Sequence, residues 1–374
     1  MGKGASNKKV LERVPITKPP FEYNDLKKAV PPHCFSRPLF RSFYFLLHDI
    51  IVTCILFYVA SNYIPMLPGF LSYIVWPVYW ISQGVFLGRL WMIGHECGHH
   101  SFSNYRWVDD SVGFLIHTAT LTPYFSFKYS HRNHHAHTNS MEYDEVHIPK
   151  RKSEALDLYF EFLGNNPMGL MITMLCKLTF GYAAYIMFNY TGKKHKSGGL
   201  ASHFYPQSPL FNDSERNHVL FSDVGICIVL YACYRIVMVT GAMSAFYVYG
   251  IPWVIMSAIL FAATYLQHTH PSIPHYDTTE WNWLRGALST IDRDLGFFNM
   301  NKTHYHVIHH LFPVIPEYHA QEATEAIKPI LGQYYKYDGT PFLKALWREM
   351  KDCIYVESDQ GQKKQGIYWF KNKI

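Results

Sequence analysis

Long apolar runs separated by polar stretches give this chain the pattern of a membrane bundle. The first run covers roughly Phe45 to Tyr63, the second Leu71 to Ile93 and the third Met168 to Phe188. The last, Leu220 to Leu266, is long enough for two crossings of about 20 residues each. Asn62 to Gly69 joins the first two and holds Pro65 and Pro68 but no charge. A turn near Gly241-Ala242-Met243-Ser244 divides the last. The N-terminal stretch is polar through residue 35 and has no apolar signal-peptide core, so membrane entry is expected from the internal runs.

Charge then assigns sides. The two turns lack Lys and Arg and belong outside the cytosol, whereas Lys150, Arg151 and Lys152 precede the third run and Lys193, Lys194 and Lys196 follow it. That run therefore starts and ends on the inner side, and Lys177 near its centre opposes a crossing. It is expected to be interfacial or re-entrant. The predicted fold is an all-α integral membrane protein, a helical bundle of about four transmembrane spans with a histidine-rich cytosolic cap. Residues 1–44 form a cytosolic N-terminal segment. Residues 45–266 hold the spans and a cytosolic insert over 94–219, and residues 267–374 form a cytosolic C-terminal region.

Composition agrees. Charged residues are 17% of the chain, below the ~25% usual in soluble domains, and an apolar share of 49% excludes disorder. Seven cysteines, sparse and odd in number, exclude a disulfide scaffold, and without a C-x-x-C pair no metal or redox role follows from them. The net charge of +6 could point to nucleic acid, but nine Lys/Arg lie in the first 41 residues, the pattern of a cytosolic membrane flank. No nucleic-acid partner is expected.

The 22 histidines carry the chemistry. His95 and His99 share a helix face within His95-Glu96-Cys97-Gly98-His99-His100; His100 is rotated about 140° from His95. His131, His134 and His135 repeat at i, i+3, i+4, and so do His306, His309 and His310. All three boxes fall on the cytosolic side. Nine imidazoles suffice for two metal ions with four or five ligands each and suit Fe, Zn, Cu or Ni. His95-Glu96-x-x-His99 also fits the zinc metalloprotease pattern, with Glu96 as base. A protease would leave the other two boxes without purpose. Two redox metals beside a membrane point instead to an oxidase acting on acyl chains.

At these boxes the chain resembles the membrane fatty-acid desaturases of plants, in the oleate-12-desaturase-like branch. The likeness also runs through Asp25–Phe35, Thr122–Tyr129, Gln267–Asp277, Glu280–Asp294 and Ala326–Gly332. It implies a non-haem di-iron centre with two Fe held by the nine box histidines, O2 as co-substrate, and electrons from cytochrome b5 and its reductase. No His-Pro-Gly-Gly motif of a fused b5 domain occurs. It further implies a phosphatidylcholine-bound acyl substrate in the endoplasmic reticulum membrane, the active site facing the cytosol. His268 or His270 matches a region where relatives place a further ligand or a water-bridging group, while His137 and His304 flank the boxes. Phe370 to Ile374 resembles the family's retrieval signal.

Departures are equally informative. Gly94 stands where ordinary members of the branch carry Ala, Asn133 where they carry Arg, and Ile308 in place of a smaller residue; Phe297–Tyr305 is about three residues short. Within the branch the sequence looks most like the diverged linoleate conjugases of the marigold type. The implied reaction removes hydrogen from carbons 8 and 11 beside the 9-cis double bond and leaves conjugated double bonds at 8 and 10, a triene with the one at 12. Gly94 and Ile308 are the expected determinants of regiochemistry, since a shift of ~1 Å selects a different hydrogen. Ordinary 12-desaturation, 12-acetylenation and 12-epoxidation are the sibling alternatives.

Overall fold

The computed structural model describes residues 12–154, 166–195, 201–295, 304–359 and 366–372. Most of Phe297–Tyr305 lies outside these residues, as do Lys373 and Ile374 of the retrieval-like terminus. Five helical segments are long and apolar enough to cross a membrane: Leu39–Met66, Gly69–Gly98, Pro167–Phe188, Asp213–Thr240 and Ala242–His268. Many of their large apolar side chains point outward, among them Ile51, Ile55, Tyr73, Ile74, Ile228 and Met238. Such a surface is unfavourable in water and suited to lipid.

A short helix α1 (Tyr23–Ala29) and a tight turn, Pro32–Phe35, precede the bundle. Helices α2 (Leu39–Asn62) and α3 (Gly69–Gly98) form the first hairpin. The 30 residues of α3 extend about 45 Å at 1.5 Å each, well beyond a hydrocarbon core of roughly 30 Å. Its inner end therefore projects from the membrane, and it carries the first histidine box. Within the hairpin, the Arg89 guanidinium donates to both carboxylate oxygens of fully buried Asp49 at 2.9–3.1 Å.

Helices α4 (Arg106–Ala119) and α5 (Tyr124–His137) form a second, shorter hairpin. Its tip is anchored to the last span: Trp253 Nε1–H donates to the Thr120 carbonyl (2.9 Å) and the Tyr249 hydroxyl to the Ala119 carbonyl (2.8 Å). Close approach of the two helices depends on Gly113, where a Cβ would lie 2.2 Å from the Tyr124 ring.

Helix α6 (Pro167–Phe188) is the third apolar run. Asn166 caps it, its side chain accepting the Gly169 N–H at 2.6 Å, and Asn189 ends it in the left-handed region (φ 46°). The helix is unbroken, so length and composition would admit a crossing. Its middle packs on the last span and on the cap. Lys177 Nζ lies 5.5 Å from the centre of the Tyr265 ring, three residues before His268, and 3.8 Å from Met350 Sδ in the cap. Just past the helix, Ile148 N–H donates to the Thr191 carbonyl and Lys193 N–H to the Asp144 carbonyl.

Helices α7 (Arg216–Thr240) and α8 (Ile251–His268) form the last hairpin. Gly241 divides them, its φ of 84° being open to glycine at no steric cost; Ala242 is already helical, so the break is sharper than a four-residue turn. The cap contains α9 (Trp283–Leu288), α10 (His306–Leu311), α11 (Glu317–Leu331) and α12 (Phe342–Asp352). Strands β1 (His275–Tyr276), β5 (Ile367–Lys371) and β4 (Tyr355–Glu357) form a small antiparallel sheet in that order, and β2 (Asp292–Arg293) pairs in parallel with β3 (Tyr337–Asp338). The apolar core of the cap gathers Leu26, Val30, Val307, Ile308, Leu311, Phe312 and Ile327.

Candidate metal centre

Four helix ends meet beneath the cap. Box one lies at the inner end of α3, box two on α5, box three on α10, and His268 closes α8. Their rings form two groups. In the first, ligand nitrogens of His95, His99, His131, His135 and His309 lie within 4.8 Å of one another. In the second, His134, His268 and His310 do the same. His306 joins it, its Nε2 lying 2.8 Å from that of His268 and 3.0 Å from that of His310. The groups touch where His135 stacks on His310, with ring centres 4.1 Å apart.

The donor chemistry fits metal ions. His95 and His131 oppose Nε2 atoms at 2.8 Å, His131 and His135 at 3.1 Å, and His95 and His99 at 3.2 Å. At such distances lone pair faces lone pair unless a proton or a cation lies between. A neutral imidazole has one N–H to donate, which can serve a pair of rings but not five nitrogens converging on one point; the cationic form is disfavoured, since burial first, then the neighbouring imidazoles, push His131, His135, His306 and His310 well below the usual histidine range, and burial with His134 pushes His309 to about 3. Neutral imidazoles converging on a common point offer the lone pairs that a metal ion takes. Nitrogen donors without thiolate suit iron, zinc, copper or nickel.

Outer partners fix which nitrogen faces inward. His134 pairs through Nδ1 with Asp144 (2.7 Å), which also accepts the N–H groups of Asn139, Val146 and His147. Burial pushes the Asp144 carboxyl up, but His134 and these N–H groups outweigh it and bring it down to about 2. The Thr138 hydroxyl donates to the His134 carbonyl, so its oxygen accepts from His310 Nδ1 (3.1 Å). That sets the tautomer of His310 and frees its Nε2. Neighbours on one short strand hold both ends of the second group. Asp292 accepts the Val307 N–H (2.8 Å), seating α10, and Arg293 Nε–H donates to the Leu266 carbonyl (2.6 Å), gripping α8 beside His268.

Not every sequence candidate is gathered. Helix α3 ends at Gly98, and His100 adopts φ 57°, which turns its ring away to Asp109 (3.1 Å). His268 occupies the ninth place instead. Thr269 is extended, and His270 points elsewhere, its Nε2 3.6 Å from Asp338 and 3.9 Å from Glu349. His137 stacks on Trp281, and His304 lies against the Arg293 carbonyl. Glu96 Oε1 accepts the Glu317 N–H (2.7 Å) and so seats α11. Ile308 is buried in the cap core, on the side of α10 opposite its histidines.

Gly94 has a specific neighbour. A Cβ there would lie 2.2 Å from Cδ2 of His117, a fully buried residue of α4. His117 Nε2–H donates to the Trp91 carbonyl (2.9 Å), and its ring stacks on the Trp91 indole, which stacks in turn on His95. Trp91 Nε1–H is shared between Thr122 and Tyr182. Phe127 stacks on His131. Sequence reasoning missed His117, Asp144, Thr138 and Arg293. None belongs to a repeated spacing, although Asp144 follows box two closely enough to have been tested as its partner.

A profile of the fatty acid desaturase family matches residues 74–341. The chain is 95% identical over 373 residues to the fatty acid conjugase FAC2 B of Calendula officinalis, covering all of both chains. It is 75% identical over 373 residues to a Delta(9) fatty acid conjugase-like enzyme of Dimorphotheca sinuata, covering 99% of this chain and all of the other. To a Delta(12) fatty acid desaturase of Calendula officinalis, DES8.11, it is 53% identical over 99% of this chain and 98% of the other.

Proposed function

We infer the function from one premise: this chain belongs to the fatty acid desaturase family. It is a fatty acid conjugase that converts the 9-cis double bond of linoleate, esterified to phosphatidylcholine, into conjugated 8,10 double bonds. The observation that carries this is the 95% identity, over the whole of both chains, to a fatty acid conjugase, beside 75% to a Delta(9) conjugase-like enzyme. The reaction removes one hydrogen from carbon 8 and one from carbon 11. Those two hydrogens, two electrons from cytochrome b5 and its reductase, and two protons reduce O2 to two waters.

His95, His99, His131, His135 and His309 would hold one iron, and His134, His268, His306 and His310 the other. The pair, when bound, would supply the oxidising power that breaking these allylic C–H bonds requires. The chain supplies position and dryness. Asp144 and Thr138 hold His134 and His310 in one tautomer. Trp91, Phe127 and His117 form a buried wall beside the first group and exclude water from the face an acyl chain would meet. Gly94 sets regiochemistry by leaving room for His117 in that wall; a methyl there must move the ring and with it the Trp91 surface. Ile308 acts at one remove, through the seating of α10.

The enzyme works in the endoplasmic reticulum membrane with its centre facing the cytosol, in keeping with the basic residues at both ends of α6. The test is expression in yeast fed linoleate, with gas chromatography–mass spectrometry and an ultraviolet spectrum of the total fatty acids. A conjugated triene is expected. Ordinary dienes as the sole new product would return the chain to 12-desaturation.

A further inference from the structure

A second group of metal-type donors lies outside the histidine centre. The Pro32–Phe35 turn contributes His33 and Cys34, and α11 contributes His319 and Glu322. One ligand atom from each of the four lies within 4.8 Å of every other. His33 Nε2 is 2.8 Å from Glu322 Oε1, the rings of His33 and His319 are 5.6 Å apart, and His319 Nδ1 is 4.0 Å from Glu322 Oε2. Cys34 is fully buried at the floor, whereas the His33 and Glu322 side chains are 57% and 52% exposed. The group thus has a soft donor inside and an open path from solvent.

We propose that His33, Cys34, His319 and Glu322 form a zinc site that clips the N-terminal segment to α11. Imidazole, thiolate and carboxylate are all ligand types of zinc, and four is its usual coordination number in a closed protein site. The nine-imidazole centre has no sulfur, so the two sites differ in kind. Binding releases the Cys34 proton to solvent, and thiolate and carboxylate together balance the charge of Zn2+. An ion pair between His33 and Glu322 explains two of the four residues but gives no reason for a thiol and a second imidazole at the same point.

The clip has something to hold. The first residue of α11 donates its N–H to Glu96, beside His95, and Arg41 lies over the ring of Tyr318 (4.1 Å). The N-terminal segment, α11 and the inner end of α3 thus meet at one corner. Zinc there fixes the seat of the first box from outside, without touching the reacting atoms.

The experiment uses the full-length, iron-loaded protein in detergent, saturated with zinc chloride and then desalted. Metal content comes from mass spectrometry, and the surroundings of zinc from X-ray absorption at its edge. The expected result is about one zinc per chain beside two irons, with one sulfur neighbour at about 2.3 Å. Cys34→Ser should lose the sulfur signal. The exposed changes His33→Asn and Glu322→Gln, which spare the fold, should each cut zinc retention severalfold while leaving iron unchanged. Zinc absent from the saturated wild type, zinc with nitrogen and oxygen neighbours only, or a sulfur signal that survives Cys34→Ser would each overturn the site.

Discussion

The two histidine groups are supported in different ways. Around the second, hydrogen bonds dominate: Asp144 on His134, Thr138 on His310, and the Asp292–Arg293 strand on the backbones beside His306 and His268. Around the first, rings dominate: Trp91 on His95, Phe127 on His131, and His117 behind Trp91. A hydrogen-bonded surround holds a ligand in one orientation. An aromatic surround holds an apolar guest and keeps water away. On the proposed function the acyl chain meets the aromatic side, so changes near the first group should alter which product forms and changes near the second how much.

The largest break comes from the ligands. His268→Ala should abolish triene formation and lower bound iron, whereas His100→Ala should keep both near wild type, as read by product yield and iron content. Next comes the polar surround. Asp144→Ala should reduce activity or iron affinity by roughly 10–100-fold, with the ratio of products unchanged. The aromatic side should behave in reverse. Gly94→Ala overpacks His117, at about 1–3 kcal/mol of stability, and should shift product from triene toward ordinary diene severalfold. Adding His117→Ala should recover part of the ratio, and the double-mutant cycle measures that coupling. The smallest effect belongs to Ile308→Val, with a stability loss of about 0.5–1.5 kcal/mol and a smaller change of ratio than Gly94→Ala. An equal shift from both would erase the distinction between the two sides.

Much of this was legible in the residues. A spacing of i, i+3, i+4 states which imidazoles share a helix face, and apolar runs state which helices lie in lipid. Membership at the edges of the centre was not legible, because it depends on where helices stop. His100 follows His99 directly, and one residue with positive φ turns it out. His268 and His270 look equivalent in sequence, yet α8 ends between them and sends them to different neighbours. His117 sits in an amphipathic helix with no motif around it; only the missing Cβ of Gly94, on another helix, reveals its place. The helical character of α6 was plain, but its course depends on Lys177 meeting Tyr265 and Met350 from distant segments.

The Asp49–Arg89 pair has a consequence for biosynthesis. Each helix of the first hairpin carries a charged group that is costly in hydrocarbon by itself, by roughly 2.5–3.5 kcal/mol on insertion scales. Together the two groups neutralise each other and satisfy each other's hydrogen bonds. Helix α2 gains that partner only after α3 has been synthesised. The two helices therefore gain most by entering the bilayer paired, because either one alone carries its charge into hydrocarbon without a partner.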